Sequence, residues 1–289
     1  MAGNFHLVPL SDVLGAEVRG LDITEDLDDR TIKALEEAWA EHEILLFRNL
    51  ELSPEKQVKF SARLGKLSSH TQADYAIPEY PEIFIVSSNV DKNGMPIGAT
   101  PARMWHSDGQ YTATPPAGTL LYGVDIPDEG GDTLFASMIA SYDALNIEMK
   151  EKIEDLQVLH SRIQSYVKLH PPGKDVRKQL TEEEKSSFPD VVHPLVRHHT
   201  YSGKKALYLR GNAGQHIIGL DEKESDDLLD TLTVFATQDR FVYRHQWRKG
   251  DAILWDNRSV SHMGTSYDTA KGRRYMHRTT IQDRALNPA

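Results

Sequence analysis

The chain has no cysteine among its 289 residues. That excludes disulfides and thiolate metal ligands, so any bound metal must be held by histidine and carboxylate. No stretch approaches the ~18 consecutive apolar residues needed to span a bilayer. Met1 to Leu10 carry no basic segment followed by an apolar run, so no secretory leader is expected. Together these absences predict a cytoplasmic protein with no membrane partner. Basic residues are also in deficit, 33 Lys and Arg against 43 Asp and Glu, for a net charge of -10. This balance opposes a phosphate-backbone footprint, and no nucleic-acid partner is expected. A small anionic ligand would need local arginines to overcome the overall field. Repeats and low-complexity tracts are missing as well, and no linker divides the chain. At 39% hydrophobic, the chain can bury a sizeable core, and residues 1–289 read as a single domain.

The pattern along the chain is one of many short strands with a few helices. Residues 5–9 and 16–19 read as strands, and the apolar spacing of Ile32, Leu35 and Trp39 predicts a helix from Leu27 to His42. His42 to Phe47 is an apolar strand. Ser53 followed by Pro54 is a cap and a first-turn proline, opening a helix through Leu64. Ile83 to Val86 is a strand within a looser segment. Thr119 to Ser137 reads as strand, turn and strand around Pro127-Asp128-Glu129-Gly130-Gly131. Ser141 to Leu159 reads as helical. His193–Val196, Ala206–Leu209, Phe241–His245 and Ala252–Trp255 read as strands, interrupted by a helix from Asp221 to Thr237. The irregular segments 68–104 and 163–190 read as lids over a site. The expected class is α+β, mainly β, with a double-stranded β-helix of the jelly-roll, cupin-like kind at its core and helices flanking it.

Trp105-His106-Ser107-Asp108 carries the clearest chemistry. In an extended segment, residues two apart face the same side, so His106 and Asp108 supply two members of a 2-His-1-carboxylate facial triad. His262, following Trp255-Asp256-Asn257-Arg258, offers the second imidazole. Such a triad leaves one face of an octahedron open and points to oxygen-activating non-heme Fe(II) chemistry.

Further motifs follow in order: Thr114-Pro115-Pro116-Ala117-Gly118, then Gly130-Gly131-Asp132-Thr133-Leu134, then Arg273-Arg274-Tyr275-Met276-His277-Arg278-Thr279-Thr280. With His106, Asp108 and His262 they resemble the TauD/TfdA family of Fe(II)- and 2-oxoglutarate-dependent dioxygenases, and the likeness runs from Gly15-Ala16-Glu17-Val18 to the C-terminal Thr-Thr-Ile. The resemblance implies that His106, Asp108 and His262 bind Fe(II), with 2-oxoglutarate and O2 taking the open positions. It implies Arg274 on the distal carboxylate of 2-oxoglutarate, where a two-donor fork suits the geometry. Thr133 would hydrogen-bond the same co-substrate, and Arg278, four residues on, would meet an anionic prime substrate. His70 aligns with a histidine that contacts the sulfonate in taurine enzymes. His216 stands where phenoxyacetate-type relatives also carry a histidine. Arg210 reads equally as a further anion contact or a surface residue. Related halogenases replace the carboxylate ligand with a small residue; retention of Asp108 implies hydroxylation instead.

Trp105 and Trp255 read as core aromatics that buttress the ligand strands, Asp256 and Asn257 as turn or ligand-supporting residues. His198 and His199 are adjacent, face opposite ways on a strand and are left without a role. Residues 236–258 resemble the phenoxyacetate branch, whereas Met276-His277-Arg278 resembles the taurine branch. The implied substrate is therefore a small organic anion, an aryloxyalkanoate or other carboxylate, or a sulfonate, with homodimers or tetramers common in the family. Three rivals stand beside this: a biosynthetic hydroxylase of an amino acid or natural product, a nucleic-acid repair dioxygenase disfavoured by the acidic balance, and a non-enzymatic cupin-like binding protein.

Overall fold

The computed structural model describes residues 5–69, 75–87, 104–169, 181–186, 188–209, 211, 214–270 and 272–284. Sixteen strands appear among them: β1 (His6–Pro9), β2 (Ala16–Arg19), β3 (Ile44–Phe47), β4 (Ala76–Ile77), β5 (Tyr80–Ser87), β6 (Gly118–Asp125), β7 (Thr133–Ser137) and β8 (Gln157–His160). The remainder are β9 (Val191–Pro194), β10 (Val196–His198), β11 (Lys205–Leu207), β12 (Gly214–Ile217), β13 (Val242–His245), β14 (Ala252–Asp256), β15 (Val260–Gly264) and β16 (Tyr275–Ile281). The helices are α1 (Asp29–His42), α2 (Pro54–Leu64), α3 (Met138–Asp143), α4 (Ile147–Ile153), α5 (Arg162–Leu169), α6 (Glu182–Ser186) and α7 (Glu222–Ala236).

The main sheet has eight strands in the order β1-β2-β3-β14-β6-β16-β5-β4, and a second sheet has the order β13-β7-β15. Side chains show how the two meet. Ile44, Leu46, Leu121, Ile253, Trp255 and Met276 from the main sheet share one buried cluster with Phe135 and Val260 from the second. The intervening residues Leu45, Phe47, Leu120 and Leu254 face the other way, against Leu35 and Trp39 of α1 and Phe60 and Leu64 of α2. The main sheet is thus buried on both faces, which is why β3 and β14 read as unbroken apolar runs rather than alternating ones. A third cluster gathers α3, α7 and the short strands around Leu195 and Leu229. The fold is mostly β with flanking helices. Among the described residues, no helix is long and apolar enough to cross a membrane.

Two helix starts read from their caps hold. Asp28 caps α1 by accepting from the Thr31 amide, and Ser53 caps α2 by accepting from the Lys56 amide, with Pro54 in the first turn. One expectation needs correction. The stretch Ser141 to Leu159 is not one helix: Asn146 accepts from the Met149 amide and starts a separate helix, and residues 157–159 belong to β8. The strands expected within Thr119 to Ser137 are present as β6 and β7. β6 pairs with β14 and β16, and β7 with β13 and β15, so the Pro127–Gly131 turn carries the chain from one sheet to the other.

Glu43 ends α1 in the left-handed region at φ 64, a conformation that costs a non-glycine residue energy. Its carboxyl is buried; one oxygen accepts from the Ser137 hydroxyl at 2.6 Å, and the other has no partner among the described residues. Burial, with the neighbouring Asp256 carboxylate, pushes it up to about 7, against 4.5 for a free side chain. Between those two values the unfolded chain releases its proton while the native state keeps it, so stability falls as pH rises through that window. The full effect is about 3 kcal/mol. Glu43→Gln cannot ionise, and urea denaturation on either side of the window should show the wild type losing stability relative to the variant as pH rises. An identical pH dependence for both proteins would contradict this.

Candidate active site

The strand ends bring His106 and His262 together through the backbone. The two residues form an isolated antiparallel bridge, with the His106 amide donating to the His262 carbonyl at 3.0 Å and the reverse bond at 2.8 Å. β15 in turn pairs His262 with Phe135 of β7, which fixes its height in the second sheet. The imidazoles lie 4.2 Å apart centre to centre. His106 Nε2 is 3.8 Å and His262 Nε2 4.0 Å from Asp108 Oδ1. One donor atom from each of the three residues falls within a 4.8 Å circle, and all three side chains are buried. Two nitrogens and a carboxylate oxygen at these separations form a donor set suited to a divalent transition metal.

The surroundings orient these groups. His106 Nδ1 lies 2.9 Å from the Met104 carbonyl, to which the Nδ1–H tautomer donates, leaving Nε2 as the free donor atom. Trp255 packs against the His262 ring at 4.7 Å, and its indole N–H donates to Asn257 Oδ1. Asn257 Oδ1 also accepts from the Asp108 amide, and its Nδ2 donates to Thr119 Oγ1. The Thr119 hydroxyl donates to Asp108 Oδ2 at 2.7 Å. Burial alone would raise the Asp108 carboxyl, but Arg278, His262, His106 and the Thr119 hydroxyl together hold it well below the usual carboxylate range. Burial, reinforced by His106, lowers His262 to about 3. At neutral pH the triad therefore presents an ionised carboxylate and an uncharged His262 imidazole, the forms in which these side chains ligate metals.

Thr119 was not legible as a site residue, although a lone hydroxyl in the apolar run of β6 was a usable signal. Thr119→Val keeps the shape while leaving Asp108 Oδ2 without its donor. Metal affinity is expected to fall about 10–100-fold with the fold unchanged. Anaerobic Mn(II) titration measures it, and wild-type affinity in the variant would remove the supporting role.

A cavity of about 570 Å³ opens onto the triad, with Thr133, Arg274 and Arg278 also in its wall. Arg274 is 2% exposed. Its Nε donates to the Gly131 carbonyl at 3.1 Å, and its Nη1 has no hydrogen-bond partner. No carboxylate among the described residues pairs with it, because Asp132 is engaged by Arg244 at 2.6 Å. Burial lowers Arg274 to about 10, so it remains a cation at neutral pH. A buried guanidinium without a counter-ion is ready for an incoming carboxylate. Gly131 stands at φ +69, and a Cβ there would lie 3.2 Å from Arg274 Cδ, so this second glycine of the turn is needed for the arginine to fit. Thr133 Oγ1 accepts from the Trp247 indole N–H, which leaves its own proton available to an acceptor in the cavity. Arg278 donates to Asp108 Oδ1 at 3.3 Å and lies over the Phe84 ring at 4.5 Å.

The remaining sequence expectations divide. His70 and Arg210 lie outside the described residues. His216 is exposed on β12, paired with Leu159, and the structure does not bring it to the cavity wall. An alternating strand shows one face to the interior and one to solvent, and His216 is on the solvent face beside the buried Ile217. His199 is buried with its Nε2 2.9 Å from Asp256 Oδ2, and Arg258 holds the same carboxylate, so both are structural. About half of the expected lid residues lie outside the described ones; of the described half, Ser68, Ser69, Phe84, Val86 and Phe188 line the cavity.

The likeness to known proteins agrees with this geometry. Residues 6–280 match the family profile described as taurine catabolism dioxygenase TauD, TfdA family. The (S)-phenoxypropionate/alpha-ketoglutarate-dioxygenase of Sphingobium herbicidovorans is 33% identical over 289 residues, covering 100% of this chain and 99% of that protein. The alpha-ketoglutarate-dependent 2,4-dichlorophenoxyacetate dioxygenase of Cupriavidus pinatubonensis is 32% identical, covering 95% and 97%. Among solved structures, a taurine dioxygenase from Burkholderia xenovorans superposes with a TM-score of 0.79 at 27% identity, covering 96% of this chain and 89% of that one. The chain belongs to the TauD/TfdA family, and its class is that of the alpha-ketoglutarate-dependent dioxygenases.

Proposed function

We propose that the protein is an Fe(II)- and 2-oxoglutarate-dependent dioxygenase that hydroxylates a C–H bond of a small organic anion: substrate, O2 and 2-oxoglutarate give hydroxylated product, succinate and CO2. One observation carries the reading. A single cavity holds both the His106, Asp108 and His262 donor set and, in Arg274, a buried cation with no counter-ion. The first fits Fe(II), and the second fits the distal carboxylate of 2-oxoglutarate. The frame fits a double-stranded β-helix, supported by the second sheet facing the main one across the Phe135 and Trp255 core.

When bound together, Fe(II) and 2-oxoglutarate supply the activation of O2 that hydroxylation requires. The chain's own residues do the rest. Asp108, ionised and held by Thr119 and Asn257, keeps its orientation through turnover. Arg274 and Thr133 fix one end of the co-substrate, and Arg278 offers a cation beside the metal site for the acid group of the prime substrate. Phe84, Val86, Leu121 and Trp255 provide apolar wall for its carbon skeleton and keep water from the reacting carbon. Where that carbon bears oxygen or sulfur, the hydroxylated product collapses to an aldehyde or keto acid and a released fragment.

The substrate names carried by the relatives support an aryloxyalkanoate or other carboxylate, or a sulfonate. The experiment is succinate release in air with Fe(II) and ascorbate across aryloxyalkanoates, aliphatic acids, sulfonates and alkyl sulfates, with product mass measured alongside. One acid class should stimulate release in step with its own oxidation. An intact substrate gaining one oxygen without fragmentation would shift the reading to a biosynthetic hydroxylase, and stimulation by none of the acids would overturn the substrate class.

A further inference from the structure

The cavity wall carries a third arginine to which neither the metal nor the co-substrate gives a role. Arg162 opens α5, and its guanidinium lies 3.9 Å from the centre of the Phe188 ring and 4.8 Å from that of Tyr111. The two rings meet edge to face, 6.3 Å apart at 83°, and so form a notch that grips the guanidinium from two sides. All three side chains line the cavity that contains the triad.

With the rings at 83° to each other, at most one of them lies flat on the planar guanidinium, and neither accepts a conventional hydrogen bond from its N–H donors. In Arg162 those donors are not consumed: among the described residues it makes neither an ion pair nor a hydrogen bond. Cation–π contact fixes the group in place without neutralising it. The chain has an excess of acidic residues, with a net charge of -10, yet among the described residues no carboxylate pairs with this arginine. Arg278, by contrast, already donates to Asp108, and Arg274 is set apart by the Gly131 turn. A positioned cation with free edge donors and aromatic flanks suits an anionic group at the end of an apolar or aryl body.

We propose that Arg162, Tyr111 and Phe188 form a second anion-recognition point in the cavity, and that the prime substrate is a dianion with one acid group at Arg278 and the other at Arg162. This rests on the dioxygenase reading for the role of Arg278. Arg162 is then a specificity-determining residue: it selects dicarboxylates or their sulfonate equivalents over simple monoacids of the same skeleton.

The test uses two probes, phenoxyacetate and 4-carboxyphenoxyacetate, titrated calorimetrically into the protein loaded with Mn(II) and 2-oxoglutarate. One added charge-assisted contact in a half-buried setting predicts that the dianion binds about tenfold more tightly. The ratio of the two affinities should drop to near one in Arg162→Gln and be partly kept in Arg162→Lys, which retains charge but not the stacked fork. Equal affinities in the wild type, a preference that survives in Arg162→Gln, or binding of neither probe would each overturn the proposal. Iron-dependent succinate release by the wild type, measured separately, decides the dioxygenase reading. Release without a dianion preference leaves that reading standing and removes the subsite. A preference without release supports the subsite and removes the dioxygenase.

Discussion

Replacing His106 or Asp108 by alanine is expected to abolish 2-oxoglutarate turnover while leaving a folded protein. The donor atoms of the triad lie within 4.8 Å of one another, and no other group of three His, Asp or Glu among the described residues offers such a cluster. Loss of one ligand from a three-ligand face removes much of the metal affinity, and with it a contribution of several kcal/mol to the reaction barrier, equivalent to at least ~10³-fold in rate. The fold should survive because both side chains sit at the cavity wall and the hydrophobic clusters do not include them. Asp108→Ala also releases Arg278 and Thr119 from their carboxylate partner, so its near-native melting is the more demanding half of the expectation. Succinate assays with saturating Fe(II), alongside circular dichroism melting, measure both. Turnover by either variant within tenfold of wild type would contradict the assignment.

Arg274→Ala is expected to act on the co-substrate alone. The side chain is buried, cationic and without a carboxylate partner among the described residues, so its charge is balanced only when an anion enters. Truncating one partner of a buried, hydrogen-bonded charge pair costs about 2–5 kcal/mol. The dissociation constant of 2-oxoglutarate should therefore rise ~30-fold or more, with Mn(II) affinity in its absence little changed, because Arg274 touches none of the three metal ligands. Arg274→Lys should lie between, retaining charge and losing the planar fork. Calorimetric titration of 2-oxoglutarate into the Mn(II)-loaded variants reads these values. Unaltered affinity in Arg274→Ala would place the distal carboxylate elsewhere.

Much of this is legible in the sequence. The run ending Ile44-Leu45-Leu46-Phe47 declares an apolar strand, Ser53-Pro54 declares a helix start, and His106-x-Asp108 places two donors on one side of an extended segment. What sequence could not show was long-range pairing. The backbone bridge that aligns His106 with His262 joins residues far apart in the chain, and no local pattern encodes it. The strands at 118–125 and 133–137 and the turn between them were legible, whereas their partners, β14 and β16 for one and β13 and β15 for the other, were not. The helix expected over 141–159 breaks at Asn146, whose side chain caps a new helix, and gives way to β8 at Gln157. His216 matched a relative's histidine in sequence but faces solvent, while Arg162, the first residue of α5, lines the cavity beside Tyr111 and Phe188 from irregular segments. Cavity walls built from irregular segments have no period from which their facing can be read.

The most direct test of the central claim is an anaerobic Fe(II) titration of the wild type and of Asp108→Ala, each with and without 2-oxoglutarate. The account predicts one Fe(II) per wild-type chain, bound more tightly when 2-oxoglutarate is present, and a loss of that stoichiometric site in the variant. Equal Fe(II) binding by the two proteins, or binding indifferent to 2-oxoglutarate, would contradict it.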